Sequence, residues 1–330
     1  MSTTIKEIAS RLGLNPSTVS RALSGHPQVA EVTRQRVLKT ATDMGYTPNL
    51  WAQNLVGSPT HLIGCLVLEF SNPFYIPMVR AIEDIASQEN HVVFLGESRR
   101  SLDTEKRMID RFLRIRVSGM IITPVLSQLD HLEALEAQGV PIVVAGRKVV
   151  GFNSVDVDNV QSGYLAGTFL IDQGYQRIGF VHSGDAFNLP EQERLSGLKR
   201  RLEEEDRPIA ALYSVKNNRI SGGELAAEMW LGQDQRPDAL FCSNDLLAMG
   251  FIQAVIKKRV LIPDDVAVMG HDDIPFASHF IQPLTTIAYP KYELGQTAIT
   301  ALLEHIAAAG QHRNPQHHKL QPDLVIRKSA

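Results

Sequence analysis

The sequence predicts an α/β protein, with a small helical head and a larger body of two doubly wound parallel sheets. Three observations carry this expectation. The first 47 residues place apolar side chains at helical spacing. From residue 62 onward, short apolar runs alternate with helical stretches, the texture of parallel strands covered on both faces. Roughly ten such units over 270 residues exceed one comfortable sheet, so the body divides into two subdomains.

The head reads as three helices. Ile5, Ile8, Ala9 and Leu12 follow helical spacing, and Gly13 stops that helix. Asn15 caps a second helix whose first position is Pro16, where a missing N–H costs nothing. Val19 and Leu23 form its inner stripe. A loop, SGHPQVAEV, follows. Thr33 is expected to cap a third helix, with Val37, Leu38, Ala41 and Met44 as its apolar positions. Gly45 ends it and YTPN marks a turn. Residues 49–56, NLWAQNLV, are a short helical candidate capped by Asn49, and GSPT reads as a linker. Eight residues are too few for a stable isolated helix, so this segment forms only when something holds it.

In the body, LIGCLVL (62–68), HVVFLGE (91–97), GMIIT (119–123) and PIVVAG (141–146) read as buried strands. RIGFVHS (177–183), DALFCSN (238–244) and VAVMG (266–270) repeat the pattern. The C-terminal stretch ends on a strand-like run. His312, His317 and His318 read as a solvated loop, since no carboxylate or Cys joins them at metal-ligand spacing.

Charge is divided unevenly. Residues 1–60 hold six Lys/Arg and three acids, a balance of +3, and the remainder carries −6. A basic head on an acidic body suits a molecule that holds an anion at one end. Without a run of 18 apolar residues no membrane span is expected. The start, MSTTIKEIAS, lacks a basic flank and an apolar core, so no secretory signal is expected and the protein is placed in the cytoplasm. Cys65 and Cys242 sit in apolar runs and read as buried reduced thiols. There is no Walker loop, no GxGxxG after the first strand, no nucleophile elbow and no HExxH, so neither an enzyme nor a cofactor is expected.

Residues 12–23, LGLNPSTVSRAL, raise the question of what a polar helix face is for. A helix-turn-helix unit needs a small residue on its first helix, a turn residue tolerating φ > 0, and an apolar residue inside its second helix. Ala9, Gly13 and Val19 meet these demands at offsets of four and six. The exposed N-terminal end of the second helix enters the DNA major groove in such units. Ser17, Thr18, Ser20 and Arg21 suit that place, with hydroxyls for phosphate oxygens and Arg for guanine.

The combination of IKEIASRLGLNPSTVSRAL, GYTPNLWAQNL, NDLLAMG and GHDD resembles the lactose-repressor (LacI/GalR) family of bacterial transcription regulators along the whole chain. The resemblance implies a headpiece (1–47), a hinge helix and linker (48–60), and a two-lobed body (61–330) like periplasmic sugar-binding proteins. Its N-subdomain is expected at about 61–160 plus 291–320, and its C-subdomain at about 161–290 plus 321–330. The resemblance also implies that paired hinge helices enter the minor groove, with Leu55, behind Ala52, as the wedge that kinks the duplex. Trp51 stands where a smaller residue is usual. The full set expected at the duplex is Asn15, Pro16, Ser17, Thr18, Ser20, Arg21, Thr33, Tyr46, Asn49, Ala52 and Leu55.

Two-lobed α/β bodies bind ligands at the carboxyl ends of their strands. Ser71, Asn72 and Phe74 follow the first strand, Arg147 follows PIVVAG, Asn244 follows DALFCS and Asp272 follows VAVMG. Arg194 sits at an expected helix start. The resemblance assigns Arg194, Asn244 and Asp272 to the effector. It also marks three departures: His271 for an aromatic, Asn217 for a stacking aromatic, and Gly146–Arg147 where sugar-binding members carry Asp. Two guanidiniums facing one cleft favour a carboxylate or phosphate, so the expected effector is a sugar acid or sugar phosphate. The alternative is a neutral sugar or purine-type effector with corepression, Arg147 pairing with Asp156 or Asp158. Asp158 and Asn159 are explained by helix capping. A homodimer reading a palindromic operator completes the expectation. The rivals are a solute-binding protein, which the helical basic head opposes, and an enzyme.

Overall fold

The computed structural model describes residues 3–23, 25–46, 60–126, 129–184, 189–308 and 314–330. The chain divides into two compact units, 1–60 and 61–330. The hinge residues Asn49, Trp51, Ala52 and Leu55 lie outside the described residues, as does His312.

The first unit has three helices, α1 (Ile5–Leu12), α2 (Pro16–Leu23) and α3 (Glu31–Asp43). A capping box starts α1: the Thr4 hydroxyl accepts from the Glu7 amide, and the Thr4 amide donates to the Glu7 carboxylate. Gly13 ends it at φ 65°, a left-handed conformation that costs glycine little. The Asn15 side chain accepts the Ser17 amide at 3.0 Å and so opens α2. Thr33 does not cap α3. That helix begins two residues earlier at Glu31, and Ala30 before it offers no side-chain bond. The Glu31 carboxylate, favoured at a helix N-terminus, pairs with Arg34 at 3.3 Å. Arg34 also donates to the carbonyls of Gly25 and His26, which fastens the α2–α3 loop. Ile8, Ala9, Val19, Ala22, Val37 and Ala41 form the core, with Tyr46 and Met44 packed against it. Leu38 is exposed instead.

The second unit holds two six-stranded sheets. The first contains β1 (Leu62–Val67), β2 (Val92–Glu97), β3 (Gly119–Ile122), β4 (Ile142–Ala145), β5 (Asn153–Val157) and β11 (His317–Leu320). Its order is β11-β5-β4-β3-β1-β2, and all its pairs are parallel. Helices α4 (Tyr75–Gln88) and α11 (Lys291–Ala307) cover one face, against Ile63, Cys65 and Val67 of β1. On the other face α5 (Leu102–Arg114) and α6 (Asp130–Glu136) meet Leu66, Met120 and Ile122. His317 and His318 are therefore in an edge strand rather than a loop, fixed by pairing with Ser154 and Val155.

The second sheet contains β6 (Ile178–His182), β7 (Ala211–Ser214), β8 (Ala239–Cys242), β9 (Ala267–Asp272), β10 (Thr285–Ala288) and β12 (Asp323–Val325). Its order is β12-β10-β9-β8-β6-β7, parallel except for the β10–β12 pair. Helices α9 (Ile220–Leu231) and α10 (Asp245–Ile256) cover one face, α7 (Asn159–Asp172) and α8 (Leu189–Glu203) the other. Gly163 and Gly197 let α7 and α8 touch backbone to backbone. A Cβ on Gly163 would overlap the Arg194 carbonyl oxygen, and one on Gly197 the Val160 carbonyl oxygen. Cys65 and Cys242 are free and buried, and burial pushes the Cys65 thiol up to about 12.

The chain passes between the two lobes three times: from β5 to α7, from β10 to α11, and from β11 to β12. In two-lobed bodies of this kind the ligand crevice lies at the carboxyl ends of the strands.

Candidate functional site

Residues from both lobes line one cavity. Asn72, Phe74, Arg147, Arg194, Asn244 and Asp272 all contribute to it. Ser71 does not; its hydroxyl donates to Glu69 at 2.7 Å. Arg100, Glu191, Asn218, Thr123, Tyr75 and Tyr289 complete the polar and aromatic wall without having been singled out in the sequence.

Arg194 is the most tightly held of these. It lies one and a half turns inside α8, not at its start, because the helix already begins at Leu189. Its Nε donates to the Asn159 side-chain oxygen at 2.9 Å and its Nη1 to the Ser243 carbonyl at 2.5 Å. Asn159 is itself buried, and its amide nitrogen donates to the Val157 carbonyl. Asp158 caps α7 through the Gln161 amide, so the two neighbours divide the work: one caps, the other braces Arg194.

Asn244 caps α10 through the Leu247 amide at 2.8 Å and donates to the Asn218 carbonyl at 2.9 Å. Asn217 caps locally, accepting the Arg219 amide at 3.1 Å, and its neighbour Asn218 lines the cavity. Asp272 ends β9 at φ 113°, an unusual conformation for a side chain with a Cβ. The Lys291 ammonium holds it there, donating to the carbonyls of Asp272, Asp273 and Tyr289. Burial pulls the Lys291 pKa down, against the pull of Asp272 and Asp273. His271 is fully buried, with Nδ1 3.0 Å from the Asp272 carboxylate, and burial drives its pKa down to about 4. It is neutral near pH 7 and meets Tyr289 edge-on, their centroids 6.1 Å apart.

On the first lobe, Phe74 stands edge-on to Tyr75 and Tyr289, with centroids 5.1 and 5.0 Å away. The Asn72 carbonyl oxygen of the side chain accepts the Phe74 amide at 3.0 Å. Arg147 donates to the Pro124 carbonyl. The two acids weighed as its partners are engaged elsewhere: Asp156 lies 3.3 Å from His317 and Asp158 lies 3.2 Å from Lys319. Thr123 lines the cavity, and its buried hydroxyl has no hydrogen-bond partner among the described residues. Three guanidiniums and two carboxylates thus border one space, along with amides, a hydroxyl and aromatic edges.

In the first unit, Val19 and Ala22 of α2 face the core, which turns Asn15, Pro16, Ser17, Ser20 and Arg21 outward. Thr18, Thr33 and Tyr46 are half-buried. The polar face questioned in the sequence is therefore a solvent face, at the N-terminal, positive end of the helix dipole. Among the described residues no helix is long and apolar enough to cross a membrane, and no group of His, Cys, Asp or Glu could hold a metal ion.

Comparison with known proteins gives two family matches. Residues 4–49 match the model for bacterial regulatory proteins of the lacI family, and residues 168–330 match a periplasmic binding protein-like domain. The chain is 31% identical to the HTH-type transcriptional repressor PurR of Photobacterium profundum, covering 99% of this chain and 98% of that protein. It is 30% identical to catabolite control protein A of Priestia megaterium, covering 93% of each. Among solved structures, a lac repressor dimer bound to operator and the anti-inducer ONPF superposes with a TM-score of 0.88 at 26% identity, covering 100% of this chain and 99% of that one.

Proposed function

The chain belongs to the lacI family of bacterial regulatory proteins, and on that footing we propose that its operator affinity answers to an acidic small molecule held between the two lobes. It is a DNA-binding transcriptional repressor with an effector-binding body. The acidic class, a sugar acid or sugar phosphate, is supported by one observation above the rest: Arg147 and Arg194 border the same cavity. Guanidiniums bind carboxylates and phosphates through paired charge-assisted hydrogen bonds, and a neutral sugar gives them no charge to meet. Asp272, Asn244 and Asn72 supply acceptors and donors for hydroxyl groups, and Phe74 an apolar edge. Ser71 plays no part in this reading.

In the first unit, Ser17, Thr18, Ser20 and Arg21 read base edges and phosphates, and Asn15 and Pro16 fix the start of that helix. Two copies of the chain form a dimer that meets two half-sites. Effector binding shifts the lobes between two arrangements, and a differential affinity of about 1–3 kcal/mol is enough to change operator occupancy.

The test is displacement. Operator DNA recovered by selection is bound to the protein and followed by fluorescence anisotropy. Sugar acids, sugar phosphates, neutral sugars and nucleobases are then titrated in turn. Acidic compounds alone should change operator binding, and Arg147→Ala and Arg194→Ala should each remove the response while preserving DNA binding. A response confined to uncharged sugars or nucleobases refutes the acidic class.

A further inference from the structure

The cavity is electrostatically lopsided. Among the described residues, the carboxylates lining it, Glu191 and Asp272, come from the lobe that carries α8 and β9. Among the same residues the opposite wall contributes Arg100 and Arg147 and no acid. The Thr123 hydroxyl, buried and unpartnered among the described residues, lies on that same wall. A ligand with one anionic end and one hydroxylated end therefore has a preferred orientation.

Arg100 is poised differently from its neighbours. Its Nε meets the Glu69 carboxylate at 3.4 Å, long for a charge-assisted bond, and that is its partner among the described residues. Its two terminal nitrogens are left for a ligand. Glu69 in turn is buried, its side chain 7% exposed, and accepts the Ser71 hydroxyl at 2.7 Å. It also pairs with Arg219, which precedes α9 in the opposite lobe and is 61% exposed. One buried carboxylate is thus shared between a cavity arginine and an arginine across the cleft. Burial pushes the Glu69 pKa up, but the Ser71 hydroxyl and the two guanidiniums bring it below the usual range, so it stays charged.

We propose that Arg100 is a ligand for the anionic group of the effector, and that Glu69, already seated on Arg219 of the opposite lobe, steadies Arg100 for that contact. This rests on the acidic-effector reading and adds its orientation. Glu69 meets Arg100 through Nε at 3.4 Å, so an anion can draw the guanidinium without breaking the Glu69–Arg219 pair. An uncharged ligand offers Arg100 no such partner, so binding at this end of the cavity is selective for charge.

Inorganic phosphate is the probe, titrated calorimetrically into the full chain at low ionic strength. Wild type should bind it, and Arg100→Gln should weaken binding by about tenfold or more. Arg100→Lys, which keeps the charge, should recover part of the loss. Arg219→Gln, outside the cavity, should weaken phosphate by about threefold by removing the pair that steadies Glu69 beside Arg100. Arg99→Gln removes an exposed neighbour that pairs with Glu97, and should change nothing. Phosphate binding unchanged in Arg100→Gln overturns the proposal, as does a wild type that binds no phosphate up to about 50 mM. If Arg100→Gln is silent while Arg147→Ala still removes the response to sugar acids, Arg100 is not the ligand and the acidic class stands. If no acidic compound acts on wild type, the acidic class fails as well.

Discussion

Replacing Gly163 by alanine tests whether the contact that places Arg194 is as close as the geometry requires. An added Cβ at residue 163 overlaps the carbonyl oxygen of Arg194, a backbone atom that no rotamer change can move aside. Gly197 makes the reciprocal approach to Val160, so α7 and α8 must separate as whole helices. Because the clash is with backbone, the overpacking cost lies at the upper end, about 2–3 kcal/mol. Alanine returns up to about 1 kcal/mol in helix propensity, which leaves a net loss of about 1–2 kcal/mol. For a body of this size each kcal/mol lowers Tm by about 2 °C, so Gly163→Ala should melt about 2–4 °C below wild type. Gly232→Ala is the control. Gly232 ends α9 at φ −77°, and its added Cβ would sit 3.5 Å from the Glu228 carbonyl, an ordinary contact. Scanning fluorimetry on the full chain reads both. A Gly163→Ala protein as stable as the Gly232→Ala protein would refute the claim that α7 and α8 meet at backbone distance.

Three further outcomes follow from the same geometry. Asn159→Ala strands the Arg194 Nε donor in a buried site, so the ligand response should weaken by about 1.5–3 kcal/mol while unliganded operator affinity holds; titration of the operator complex reads both. Arg21→Ala should weaken operator binding by about 1–3 kcal/mol and lower its salt dependence, measured by anisotropy over a series of salt concentrations. Burial raises the Glu136 pKa to about 7, above its ordinary 4.5. The folded state then holds this proton more tightly than the unfolded chain. The stability it gives is complete below pH 4.5 and is lost as pH rises to about 7. Glu136→Gln should flatten urea-denaturation stability across that window, and an unchanged slope would count against the burial cause.

Most strands readable in the sequence are buried on both faces; β2, expected as a buried strand, is instead a sheet edge with Val92 and Leu95 exposed, because no further strand pairs beyond it among the described residues. β1, β3, β4, β8 and most of β9 are continuous apolar runs because helices cover both sides. β12 (DLV) lies in the strand-like run read near the C-terminus, but β5 (NSVDV), β7 (ALYS), β10 (TTIA) and β11 (HHKL) were not legible: they are short, mixed in polarity, and defined by the neighbour each pairs with. His317 and His318 show the limit, since nothing local marks them as strand. The same limit shaped the reading of the cavity. Asn218 follows β7, an unrecognised strand, and so gave no signal. Arg100 could have been found, because it follows HVVFLGE by three residues under the rule that pointed to Arg147. The misplaced start of α3 has a simpler source: Thr33 is a good cap by type, but Glu31 and Arg34 stabilise the turn before it.

The three chain passages between the lobes leave the body little freedom in how it moves. A single tether would let the halves swivel and twist in many directions, each orientation adding entropy that a ligand must remove. Three tethers close that range down before any ligand arrives, so less ordering is left for the bound molecule to impose on the body.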